Sequence, residues 1–242
     1  DTLDFDTFVS PATFTTVIVT SALDAADVTL TDVQASTYTF RNATTGTVAD
    51  LLADVAIDLK DSSGTADTIT INLNNRQTGS VAANQNDFTM AELDADAIEV
   101  ITINATKVSS EGTAEDITVT RFGADDLESL TLTGDADLVI TNALDDECVT
   151  VNASAFTGAL DLLHGTNALT YTGGTGADTI RFAADDLGTT DTITGGAGSD
   201  TVIAVLDSGT ITPTISGVET IRVTLNGGNL NASSITGATG LE

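Results

Sequence analysis

Apolar and polar residues alternate along most of this chain, and that period limits what it can fold into. TTVIVT (15–20), DVTLTDV (27–33), DTITINL (67–73), EVITINA (99–105), DITVTRF (116–122), LESLTLTG (127–134) and ETIRVTL (219–225) place apolar residues at alternate positions, mostly with Thr between them. Period two sends apolar side chains to one face of a strand and leaves the other face to solvent. Gly, Asp, Asn and Ser break these runs at roughly 10–20-residue intervals, as turns do. Only Pro11 and Pro213 occur, so few strands are forced to sheet edges. One stretch keeps two readings. Val48, Leu51, Leu52, Val55 and Leu59 follow helical spacing, whereas Ala56–Leu59 alternates as a strand does.

Internal repeats turn the all-β reading into an architecture. VNASAFTGALDL (151–162) returns as LNASSITGATGLE (230–242), and GTADTITI (64–71) returns as GTAEDITV (112–119). Ile98-Glu99, Leu127-Glu128 and Val218-Glu219 each open an alternating run, and for the glutamates we expect a shared turn hydrogen bond. A turn, an acid and a short strand, repeated at variable period, is what stacked coils produce, because one coil cannot bury its own apolar face. The core composition agrees. Apolar residues are 41% of the chain, aromatics only 4%, and Trp is absent. Small branched side chains suit thin layers better than a globular centre filled by large rings. The expected fold is all-β, a right-handed parallel β-solenoid (β-roll or β-helix), over residues 91–242. A less regular, β-rich segment is expected over 1–90, either as a separate sandwich or as the start of the same stack. The chain opens at Asp1 without Met and stops inside a repeat, so we read it as a piece of a longer protein, Leu241-Glu242 being a possible added remnant.

Charge excludes some partners. Thirty-six acids against seven bases give a net charge of −29. Seven bases cannot track a phosphate backbone, so nucleic acid is excluded. Three explanations of the acidity compete: a solvated surface, a halophile surface, and neutralisation by divalent cations that favour oxygen ligands. Cys148 stands alone and forms no disulfide within the chain; a small buried hydrophobe is expected there. No run of about 18 apolar residues exists to span a membrane as a helix.

Two segments fit the pattern G-G-x-G-x-D-x-U-x, with U a large aliphatic residue: GGTGADTIR (173–181) and GGAGSDTVI (195–203). They resemble the nonapeptide repeats of RTX proteins. Consecutive glycines let the backbone turn sharply and aim carbonyl oxygens at one point, the aspartate adds a charged oxygen, and such a set suits Ca²⁺. The resemblance implies that the loops lie on one side of successive coils, with FAADDLGTTDTIT (182–194) as the half-coil between them. Ca²⁺ would then take Asp178 and Asp200, with carbonyls of Gly173, Thr175, Gly195 and Ala197, and Asp191 on offer from the half-coil. Only two full motifs occur and they are not contiguous, so one well-formed site is expected. The same glycines also suit ordinary coil corners.

Acids cluster again at Asp94/Asp96, Asp125/Asp126, Asp135/Asp137, Asp145/Asp146/Glu147 and Asp185/Asp186. Most read as solvated loop charges; Asp135, Asp137, Asp185 and Asp186 are the further candidate Ca²⁺ ligands. Catalytic signals are sparse. His164 is the one histidine, read as a loop residue in a Gly/Asn turn, and no zinc pair or G-x-S-x-G elbow exists. Glycoside chemistry by paired carboxylates lacks the aromatics and bases that grip sugar. No enzyme is expected.

The wider texture, carried by VETIRVT…LNAS…TG and ADTITINL…GSVAA, is similar to bacterial surface-layer proteins secreted by the type I route. That similarity implies an extracellular, cell-surface location, calcium-dependent folding and self-association in a lattice, with a surface glycan or lipopolysaccharide as a further partner. An RTX adhesin segment is the alternative reading, and an accessory domain of an extracellular polysaccharide-acting enzyme a third.

Overall fold

The computed structural model describes residues 2–4, 15–20, 27–42, 50–76, 88–107 and 116–242. Pro11, Val48, the GSVAA stretch and the start of GTAEDITV lie outside them. The alternating runs form strands, and the strands sort into two long sheets according to their place in the chain.

The first sheet takes β1 (Thr2–Asp4), β3 (Val28–Val33), β5 (Asp50–Leu59), β7 (Phe88–Asp94), β9 (Asp116–Gly123), β11 (Asp137–Ile140), β13 (Leu160–His164), β15 (Thr179–Ala184), β17 (Thr201–Leu206), β20 (Thr220–Leu225) and β23 (Gly240–Leu241), side by side in that order. The second takes β2 (Thr16–Thr20), β4 (Thr37–Arg41), β6 (Thr68–Asn75), β8 (Val100–Lys107), β10 (Ser129–Gly134), β12 (Thr150–Phe156), β14 (Thr170–Thr172), β16 (Thr192–Thr194), β19 (Thr214–Ser216) and β22 (Ile235–Thr236). β18 (Thr210–Ile211) and β21 (Asn229–Leu230) form a small third sheet. Each coil lays one strand in each long sheet, and the strand pairs are parallel, as in Ile180 with Val202 and Tyr171 with Ile193. This is a parallel β-solenoid. The described strands between residues 2 and 94 belong to the same two sheets. Their coils are longer: Tyr38 pairs with Ile71, whereas Leu162 pairs with Ile180. The stretch with two readings is strand, Asp50–Leu59. Parallel pairing with β3 and β7 uses the alternation of its second half and overrides the helical spacing of its first.

Alternation decides which residues meet between the sheets. Ile101, Leu130, Val151, Tyr171, Ile193 and Ile215 stack in one inward column and are fully or almost fully buried. Across from them, Leu162, Ile180, Val202 and Ile221 form a column of the first sheet. Cys148 is also buried, and burial pushes its thiol up to about 12, so it packs as a small hydrophobe. The two repeat copies share one local device: Asn152 accepts the Ser154 N–H at 3.1 Å, and Asn231 accepts the Ser233 N–H at 3.0 Å. They differ in pairing. Val151 lies in the second sheet, while Leu230 pairs with Ile211 in the small sheet.

Where coils cross from the second sheet back to the first, their backbones touch. Gly134 has a φ of +113°, and a Cβ there would sit 1.8 Å from the Ala105 oxygen, so only glycine fits. If the inward column carries the stability, Leu130→Ala lowers the unfolding free energy by about 2–5 kcal/mol, and its outward neighbour Thr131→Ala changes it by less than about 0.5 kcal/mol. Urea unfolding of both variants checks this; equal losses would contradict the inward–outward assignment.

Candidate functional site

The chain crosses between sheets at two corners of each coil. GGTGAD (173–178) links β14 to β15, and GGAGSD (195–200) links β16 to β17, so both motifs lie at the same corner of successive coils. The flanking strands are in register through Thr172 with Thr194 and Thr179 with Thr201. The loops are in direct backbone contact: Gly173 N–H donates to the Thr194 oxygen at 2.7 Å, and Ala197 N–H donates to the Gly174 oxygen at 2.9 Å. A Cβ on Gly173 would lie 1.8 Å from the Gly195 oxygen. The glycines therefore allow coils to approach where the chain turns. The half-coil 182–194 carries the opposite corner.

The motif aspartates turn inward. Asp178 and Asp200 are 1% and 2% exposed, and each accepts the backbone N–H of the preceding coil. Leu160 N–H donates to Asp178 Oδ1 at 3.1 Å, and Asp178 N–H donates to Asp200 Oδ1 at 2.8 Å. Asp200 N–H in turn donates to Glu219 Oε2 at 2.8 Å. This is a ladder of acids, each neutralising a backbone donor one rung down. The opposite corner repeats it: Asp67 N–H donates to Glu99 Oε2 at 2.7 Å, and Leu169 N–H donates to Asp191 Oδ1 at 2.7 Å. The turn hydrogen bond expected of Glu99 and Glu219 is this contact. In Glu128 the backbone oxygen is the acceptor, from Val149 and Thr150 N–H.

The second carboxylate oxygens differ in their donors. Asp178 Oδ2 accepts the Tyr171 hydroxyl at 2.8 Å, with Gly174 N–H at 3.4 Å. Tyr171 pairs with Ile193 on the next coil, and isoleucine has no hydroxyl to offer. Asp200 Oδ2 is buried and receives no hydrogen bond. Burial pushes the Asp200 carboxyl up to about 6 and raises that of Asp178, against the lowering effect of their donors. The Tyr171 hydroxyl is raised as well, by burial and then by Asp178.

The remaining candidates are distributed along both corners. Asp191 is buried with both oxygens engaged, the second by Gly188 N–H at 2.6 Å. Asp135 and Asp137 accept Lys107 N–H at 3.2 Å and Ala159 N–H at 2.8 Å. Asp185 has a φ of +64° and is exposed; Asp207 N–H and Ser208 N–H bond its Oδ1, the Ser208 hydroxyl bonds its Oδ2, and its carboxyl is lowered. Asp186 is raised by burial and by Asp146. Thr175 N–H donates to the Phe156 oxygen at 3.1 Å. Among the described residues, no three His, Cys, Asp or Glu side chains converge on one point. His164 is not a loop residue: it ends β13, fully buried, with Nε2 against the Asn167 oxygen at 2.9 Å and its ring edge-on to Phe182. Burial lowers its pKa, so it is a neutral core side chain.

An all-oxygen corner suits a hard cation. Asp200 fits best, because Oδ2 is a buried oxygen with nothing to neutralise it. Asp178 and Asp191 would serve only by releasing a protein donor. Sequence reasoning found these aspartates by motif; the Tyr171–Ile193 mismatch that separates them became visible only with register. No protein family matches the chain, and neither the curated proteins nor the solved structures contain a match.

Tyr171→Phe removes the main donor to Asp178 Oδ2 and lowers stability by about 1–3 kcal/mol in chemical unfolding. Asp200 supplies a pH dependence. Its carboxyl holds a proton more tightly in the fold, at about 6 against 3.8, so the stability it contributes is full below about pH 4 and lost as pH rises through about 6. In chelator, Asp200→Asn should flatten that decline; an unchanged slope would place the titration elsewhere.

Proposed function

We propose that this chain is a non-enzymatic structural segment of a bacterial cell-surface layer, outside the cell, in which Ca²⁺ completes the glycine–aspartate corner and copies of the chain associate. The observation that carries the reading is the vertical alignment of two Gly-Gly-x-Gly-x-Asp corners on successive coils, with one buried carboxylate oxygen left without a donor. Asp200, with carbonyls of Gly173, Thr175, Gly195 and Ala197, would hold the ion. The bound cation would supply the positive charge that burial otherwise denies this carboxylate. A chain of net charge −29 repels itself when compact, so cation binding favours folding and association together. The buried, neutral state of His164 and the buried thiol of Cys148 support a non-catalytic role.

Circular dichroism and light scattering on adding Ca²⁺ to chelator-treated protein test this. The expected result is a gain of β signal, then association, with the calcium midpoint raised by Asp200→Asn and, less strongly, by Asp178→Asn. Spectra and midpoints indifferent to the metal and to both substitutions would refute the site.

A further inference from the structure

Among the described residues, the ten strands of the second sheet contain not one Asp or Glu, although the chain has 36 acids. The first sheet carries Asp54, Asp58, Glu92, Asp94, Asp137 and Asp161 among its strands. On the second sheet, most outward positions are hydroxyls and amides held in register, with Ile18, Arg41 and Val100 as exceptions on β2, β4 and β8. One column runs from Thr16 on β2 through Thr37, Thr70, Thr102 and onward to Thr236 on β22. Nine of its ten members are Thr or Ser, Asn152 being the exception. Two residues back along the strands, a second rank passes through Ser129, Thr150, Thr170, Thr192 and Thr214. β14 and β16 read Thr-x-Thr and β19 reads Thr-x-Ser, with the middle residue buried and the flanking residues exposed or half-exposed.

From this register we propose that the hydroxyl face of the second sheet binds ice. Parallel strands lie about 4.8 Å apart, and alternate residues on a strand about 6.6 Å apart. Two ranks in register therefore form a rectangular net of hydroxyls, comparable with the oxygen repeats on a prism face of hexagonal ice. Each threonine adds a methyl that keeps water from hydrating the face laterally, while its hydroxyl anchors a water at a fixed position. Strands β10, β12, β14, β16 and β19 carry no charged residue at all, which matters equally, since an ionised side chain holds its own hydration shell against any lattice. A soluble sugar is a poorer fit: its sites are concave and aromatic-lined, whereas this face is an open sheet whose tyrosines, Tyr38 and Tyr171, point inward and are buried. The inference goes beyond the surface-layer reading and does not need the metal site, provided the chain is folded.

The test uses the whole chain in buffer with calcium, its β content verified by circular dichroism, and measures thermal hysteresis and ice-crystal shaping. The folded protein is expected to show both. The double variant Thr172→Lys/Thr194→Lys, which puts bulk and charge in the middle of the net, should lose both. Thr224→Lys, on an exposed position of the first sheet, should keep both. Should the lysine pair fail to fold, Thr170→Arg at an exposed position of the same net replaces it with the same expected loss. No hysteresis from the folded chain overturns the proposal, as does activity that survives the net substitutions. Sedimentation that shows pairing of the unsubstituted chain, abolished by the net substitutions and without hysteresis, also overturns it and assigns the face to a second copy. A chain that folds only with calcium yet shapes no ice would leave the metal reading standing and remove this one.

Discussion

Every coil of this molecule depends on the parallel backbone ladder to its neighbours. Leu130 or Ile193 has no core within its own coil; it is buried because Ile101, Val151, Tyr171 and Ile215 occupy the same column above and below. Stability is then a sum of interfaces between adjacent coils, and anything that spoils one rung uncovers two. The ladder is simple along the strands and difficult at the corners, where the chain turns and its N–H groups lose their strand partners. Buried donors left unpaired would cost as much as the hydrogen bonds gained elsewhere.

Acids solve the corner problem, and this gives a second role to a composition that first suggests only a solvated surface. The step from Asp178 to Asp200 to Glu219 places a carboxylate beside the N–H of each lower coil, and Glu99 does the same for Asp67. A carboxylate accepts more strongly than a hydroxyl or amide, which suits a donor with no other route to satisfaction. The arrangement also has a weak point. A carboxylate has two oxygens and the N–H occupies one. Tyr171 closes the account at Asp178, and nothing closes it at Asp200. The corner is thus satisfied on one coil and electrostatically incomplete on the next, where Gly196 and Gly198 also take positive φ values that Gly174 and Gly176 do not.

Much of this was legible before the structure, and the reasons are physical. Period-two alternation is local, so the strands at 68–75, 100–107 and 220–225 lie where their patterns put them. The doubled glycine motifs announced stacked corners because only glycine tolerates such close backbone approach, as Gly173 against the Gly195 oxygen confirms. The stretch at 48–59 stayed open between helix and strand because its first half has helical spacing; only the neighbouring coils decide for strand over Asp50–Leu59. His164 was misplaced because the Gly-Thr-Asn that follows it looks like a turn, yet the histidine itself is the last inward residue before that turn begins. Coil-to-coil register was hidden for a different reason. With coils of unequal length, no fixed spacing tells which threonine stands above which, so neither the Tyr171–Ile193 mismatch nor the hydroxyl columns could be read along the chain.

Unequal placement of charge follows from the same stacking. In a parallel solenoid, a residue repeated at one position faces its own kind about 4.8 Å away on both sides. Repeated carboxylates at an outward strand position would repel at every rung, whereas hydroxyls and amides can bond one another. The second sheet shows the permitted solution: Asn104 donates to Asn72 at 3.1 Å, Asn72 donates to Thr39 at 3.1 Å, and Thr133 donates to Asn104 at 3.2 Å. On the first sheet Arg121 stands beside Glu92, Arg181 beside Asp161 and Ala159 N–H beside Asp137, while Asp54 stacks on Glu92 and burial and the neighbouring Asp96, Glu92 and Asp58 raise the Asp94 carboxyl. The corners, rich in N–H groups, take further acids. A chain with so few bases can carry this many carboxylates in a stacked fold only by confining them to corners and to one sheet, and the acid-free second sheet is the geometric consequence.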